Sequence, residues 1–120
     1  MYTLEKKEAV VKDVLAQISE FNKSLQTWEE NVKSEVLPDN DTEEMKKWLE
    51  WQWESHNTLR LFDCWPTSTQ LRGDLSRASN DLDRLEARIR RLQRKNEEKK
   101  REKERQREEE RKDSSKKHTP

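Results

Sequence analysis

Apolar side chains enter the chain at Leu4, Val11, Val14, Ile18, Phe21, Leu25, Trp28 and Val32, and after the first gap the steps alternate three and four. That spacing keeps one face of an α-helix turned to the same neighbour, so it predicts a helix over 1–37 with a coiled-coil seam. In heptad notation the a positions are Leu4, Val11, Ile18, Leu25 and Val32, and the d positions are Lys7, Val14, Phe21, Trp28 and Glu35. Val10, Leu15 and Val36 flank the seam and widen it, which suits a bundle of three or more helices better than a two-stranded coil. Thr3 is placed to cap the start. Pro38, followed by Asp39, Asn40 and Asp41, stops the helix and opens a turn.

A second amphipathic helix is expected over 41–65. Asp41 and Glu44 have the spacing of a capping box, and Pro66 disfavours helix at the residue before it. On a helical wheel Met45, Trp48, Leu49, Gln52, His56, Leu59 and Phe62 share one face. Trp51 and Leu61 lie at its edge, and Trp53 points away from its centre.

The third helix, expected over 67–96, carries the most regular pattern. Thr67 and Gln70 make another capping-box spacing, and then Leu71, Leu75, Ala78, Leu82, Leu85, Ile89 and Leu92 follow at steps of four and three. Asn96 occupies the next a position. It either fixes register, as a buried asparagine does, or marks where the coil frays. Gly73, Ser79 and Asn80 weaken the helix locally. Over 97–112 no residue is apolar, and pairs such as Glu97/Lys100, Glu98/Arg101 and Glu104/Arg107 stand at i,i+3 with opposite sign. Each such pair contributes about 0.2–0.5 kcal/mol, enough to extend the helix as a solvated rod. Segment 113–120 is expected to be disordered.

Composition narrows the alternatives. Charged residues make up 43% of the 120-residue chain and hydrophobic ones 28%, so a thick globular core is excluded and long helices burying a narrow stripe remain. The charge balances at 26 basic and 26 acidic residues. No stretch approaches the ~18 apolar residues of a membrane span. The segment from Met1 to Lys7 lacks an apolar signal-peptide region. A single cysteine, Cys64, cannot form an internal disulfide, which fits a reducing compartment, cytoplasm or nucleus. The fold expected is all-α: an elongated bundle or coiled coil of about three helices.

The same residues argue against an enzyme. His56 and His118 are the only histidines, and His56 on an apolar face reads first as a satisfied, half-buried side chain. With Cys64 it cannot supply the four ligands of a structural zinc site, and one glycine cannot build a phosphate loop. No cofactor and no metal site are expected. Arg88, Arg90, Arg91, Arg94 and Lys95 form a basic run that reads either as the solvated face of a coil or as a phosphate-contacting strip or nuclear-import signal.

Partners are legible only as a class. In a parallel homodimer of helix three, Asp81 would face Glu86, Asp74 would face Ser79 and Arg88 would face Gln93, so no attractive pair supports that arrangement. Antiparallel or heterotypic association is favoured, or helices one and two fold back onto helix three through the turns at Pro38 and Pro66. Asp39 to Glu54 carries six acids against two lysines, whereas Arg88 to Lys112 is net basic, a layout that suits end-to-end or antiparallel assembly. Four of the five tryptophans fall between Lys46 and Trp65, on more than one side of helix two. A small bundle cannot bury all of them, so Trp48, Trp51, Trp53, Phe62 and Trp65 are the candidate docking side chains. The expected function is a non-enzymatic coiled-coil adaptor or structural subunit of an intracellular complex. The alternative is a nucleic-acid-associated nuclear factor that uses Arg88–Lys112 on phosphates.

Overall fold

The computed structural model describes residues 2–117, with side chains described through residue 111. The protein is an all-α, elongated bundle of three helices, α1 (Leu4–Asn31), α2 (Asp39–Leu61) and α3 (Thr69–Lys117), within an envelope of 82 × 20 × 19 Å.

Helix α1 begins where the sequence places it. The Thr3 hydroxyl accepts the Lys6 N–H at 3.2 Å, satisfying one of the free donors of the first turn. Its end comes earlier than the expected boundary at residue 37. The helix stops at Asn31 and a turn follows, so Glu35 is not a seam position at all. The turn sends Val32 and Leu37 inward together, both buried in one core cluster. Residue 37 precedes a proline, which disfavours helical backbone there.

Helix α2 starts at Asp39 rather than 41, and Pro38 is its N-cap without a side-chain cap bond. The Asp41–Glu44 capping box therefore does not form, because both residues lie inside the helix. Asp39 and Asp41 instead place negative charge on the first turn, where the exposed N–H groups favour it. Helix α2 ends at Leu61, short of the expected 65. Phe62 and Asp63 close a tight last turn by donating to the carbonyls of Leu59 and Arg60 at 3.1 and 3.4 Å.

The cap of α3 is also shifted. Ser68, not Thr67, holds the first turn, its Oγ accepting the Leu71 N–H at 3.1 Å. From there one uninterrupted helix runs to Lys117, through the boundaries expected at 96 and 112. Residues 113–117, expected to be disordered, are helical; the last residues of that expected tail, 118–120, lie outside the described residues. Beyond Asn96 the helix projects about 30 Å at 1.5 Å per residue. Its side chains from Arg101 to Arg111 are exposed.

Long-range contacts set the direction of the helices. Lys7 meets the α2–α3 connection, Asn22 meets Arg88 at 3.0 Å, and Leu37 meets Asn96 at 2.8 Å, so α1 and α3 run parallel. The end of α2 returns to the start of α1, where the rings of Tyr2 and Phe62 meet edge-on at 4.8 Å. Helix α2 is thus antiparallel to both, and α3 is the spine on which the other two pack.

The seams of α1 and α3 close on each other and on α2. Val11, Val14, Ile18, Leu59, Phe62, Leu71, Leu75, Ala78 and Leu82 form one core cluster. Phe21, Leu25, Trp28, Val32, Leu37, Met45, Leu85, Ile89 and Leu92 form the next. Full burial of a Leu- or Phe-sized side chain contributes about 1.5–3 kcal/mol, so these layers dominate the stability of the rod. Leu4, at the open end, is only half-buried.

Two polar residues sit inside the seam, and each secures a loop. At one end the buried ammonium of Lys7 donates to the carbonyls of Phe62, Cys64 and Pro66 at 3.4, 2.6 and 3.0 Å. At the other end the buried Asn96 side chain accepts the Leu37 N–H. Asn96 therefore does not mark fraying: the seam continues through it, and Lys99 beyond it donates to the Lys33 carbonyl.

Candidate docking surface

Helix α2 decides which aromatic side chains reach solvent. Its inner face holds Met45, Gln52, Ser55 and Leu59, all buried. Trp48 and Trp51 lean toward α1 and are half-buried. The Trp48 indole lies over the Phe21 ring at 4.1 Å, and Trp51 meets it edge-on at 5.1 Å. Trp51 touches both core clusters. Helices α1 and α2 contact each other least of the three pairs, and this leaves a surface groove of about 570 Å³ between them. Trp48 and Trp51 line it, with Gln17 from α1 and Asn40, Glu43, Glu44 and Lys47 from α2.

The remaining indoles stand free of the core. Trp53, on the outward side of α2, is 66% exposed, and Trp65, in the α2–α3 connection, is 85% exposed. Phe62 is a correction to the sequence analysis. It is fully buried and joins the core, so it presents nothing to a partner. Sequence reasoning missed two exposed apolar side chains, Leu61 at 65% and Tyr2 at 44%. Leu61, expected at the edge of the apolar face, lies nearly opposite the Met45–Leu59 face at 100° per residue, so helical phase turns it to solvent; no signal in the sequence marks Tyr2.

His56 is half-buried, with Nε2 3.1 Å from Asp83 Oδ1 and 3.4 Å from Ser79 Oγ. Both neighbours share one ring nitrogen. A nucleophile–base–acid relay needs the hydroxyl and the carboxylate on opposite nitrogens, so this grouping is a packing contact between α2 and α3. Cys64 is exposed, and its thiol lies 3.0 Å from the Leu61 carbonyl. Among the described residues, no group of three or more His, Cys, Asp or Glu could hold a metal ion, and no helix is long and apolar enough to cross a membrane.

The basic run is divided between structural and free roles. Arg88 is half-buried and bridges α3 to α1, donating to Asn22 Oδ1 and to the Glu29 carboxylate. Arg90 pairs with Glu86 one turn earlier at 3.0 Å. Arg91, Arg94 and Lys95 are exposed.

No family model, curated protein or solved structure matches the chain.

Proposed function

We propose that the chain is a non-enzymatic coiled-coil adaptor or structural subunit of an intracellular multiprotein complex. The bundle acts as a stiff mount, heptad association holds it together, and tryptophans on α2 and the following connection meet the partner. One observation carries this reading: the seam residues from Val11 to Leu92 are buried within the chain, while Trp53 and Trp65 are exposed. Exposed indoles are unfavourable in water and are enriched at interface hot spots. The groove beside Trp48 and Trp51 adds apolar surface next to α1. The single cysteine supports placement in a reducing compartment, cytoplasm or nucleus.

The test compares the full chain with its Trp53→Ala/Trp65→Ala variant in affinity capture from cell extract, alongside thermal melting. A partner retained by the wild type and reduced about tenfold or more by the variant, at unchanged melting temperature, supports the docking role. Equal retention by both proteins refutes it.

The second reading rests on Arg91, Arg94 and Lys95, which remain exposed and without an acid between them along α3. As phosphate contacts they would give binding that weakens steeply with salt, whereas association through apolar side chains is nearly salt-insensitive. A salt titration against duplex DNA and RNA separates the two readings.

A further inference from the structure

Among the described residues, three of the four exposed large apolar side chains gather at one end of the rod. Tyr2 (44%), Leu61 (65%) and Trp65 (85%) surround the α2–α3 connection, opposite the charged extension of α3. Their proximity is set by the Tyr2–Phe62 ring contact at 4.8 Å and by the Lys7 ammonium holding the Cys64 and Pro66 carbonyls at 2.6 and 3.0 Å. The same Lys7 contacts anchor the backbone on either side of Trp65, so its outward placement is a fixed feature of the fold.

Beside this tip, between α2 and α3, lies a cleft of about 360 Å³. Leu59 and Leu75 line its apolar part, and Arg60, Arg72 and Asp63 line its polar part. Among the described residues neither Arg60 nor Arg72 makes a salt bridge. Leu59 and Leu75 are buried core residues that form only the base of the cleft, so what an indole meets there is chiefly the two exposed guanidiniums, which its ring face accepts.

We propose that the tip is a self-association surface, in which Trp65 of each chain enters the Arg60/Arg72 cleft of a second copy. Knob and cleft occupy the same end of one molecule, so a two-fold axis through the tips makes both contacts at once, as an isologous interface requires. The charges are self-complementary in the same sense. Asp63 lies beside two arginines, and the rotation brings each Asp63 toward the other copy's Arg60 and Arg72. A surface of single sign would repel its own copy. The product is a longer rod in which the two tips overlap, with a charged α3 extension at each outer end.

The interface is small. Three partly exposed side chains supply at most about 500 Å² per partner, at the lower limit for specific association. The dimer is therefore weak and concentration-dependent. The proposal shares Trp65 with the docking function but is tested on the purified chain alone, so either can fail without the other.

Light scattering or sedimentation equilibrium on the full chain, from micromolar to millimolar concentration, should show the mass rising from 14.6 kDa toward twice that value. Trp65→Ala should shift the dissociation midpoint about tenfold or more to higher concentration. Arg60→Glu/Arg72→Glu should do the same, and mixing it with the wild type should not restore the full dimer. Trp53→Ala, away from the tip, should dimerise as the wild type does. All these residues are exposed, and unchanged circular dichroism and melting will confirm that each variant folds. A wild-type mass of 14.6 kDa at millimolar concentration overturns the proposal. So does a Trp65→Ala variant that associates as the wild type does, or a loss of dimer in Trp53→Ala equal to that in Trp65→Ala.

Discussion

The side-chain oxygen of Asn96 accepts the backbone N–H of Leu37 at 2.8 Å, joining positions 59 residues apart in the chain. Both groups are out of water, and the bond fixes where the α1–α2 connection crosses the end of the α3 seam. Removing the acceptor strands a buried donor, which costs about 1–3 kcal/mol. Asn96→Ala and Asn96→Leu should both lower stability by that amount in urea unfolding, even though leucine would complete the heptad pattern. A stabilised Asn96→Leu protein would show that the bond carries no weight.

Lys7 is the counterpart at the opposite end. Its ammonium serves the carbonyls of Phe62, Cys64 and Pro66. Lys7→Met keeps the apolar stem but leaves these carbonyls without their charged donor. We expect a loss of about 2–3 kcal/mol, in line with hydrogen bonds to charged groups. Hydrogen exchange should show faster opening of the α2–α3 connection than of the rest of the bundle.

Gly73 lies within α3, and a Cβ added there would meet nothing within 4 Å. Its backbone angle is an ordinary one that any residue adopts. Gly73→Ala should therefore stabilise the protein by about 0.5–1 kcal/mol, through lower entropy of the unfolded chain and better helix propensity. A higher melting temperature is the readout.

Core and surface aromatics should separate cleanly. Phe21 is 1% exposed and sits between Trp28 and Trp48, so Phe21→Ala should cost about 3–5 kcal/mol. Trp53 is 66% exposed, and Trp53→Ala should change stability by no more than about 0.5 kcal/mol. Chemical denaturation of the two variants measures both figures.

The distal part of α3 adds helix without adding core. A chain ending at Lys100 keeps every core residue and the Asn96 bond, and loses only exposed side chains among those described. Its unfolding midpoint should match the full chain, while helical ellipticity per molecule falls. No ion pair closes within 4 Å among the described side chains of the extension. Only the longer-range attraction of oppositely charged residues at i,i+3 is therefore open to screening, and the ellipticity of the full chain should fall no more than slightly with added salt.

The amino-acid pattern alone determined much of this. Steps of three and four from Val11 to Val32 and from Leu71 to Leu92 specified two helices and the stripe each would bury. Thr3 marked one helix start, and Pro38 and Pro66 marked the reversals. Periodicity succeeds here because it is local: it records the phase of a side chain on its own helix. It also placed Trp53 outside the buried face. What covers a stripe is a different matter, and that was decided by the tertiary structure. The fold closed the two seams within one chain and took Phe62 into the core. It also moved each helix end to where a loop could be satisfied. Lys7 and Asn96 show the reason most directly. In heptad terms each is a polar interruption of an apolar seam, with no apparent partner nearby. Their partners are backbone groups 55 to 59 residues away, brought into reach only when α2 folds back along α3. A buried polar group is stable only where such a partner exists, and three-dimensional packing, not sequence spacing, supplies it.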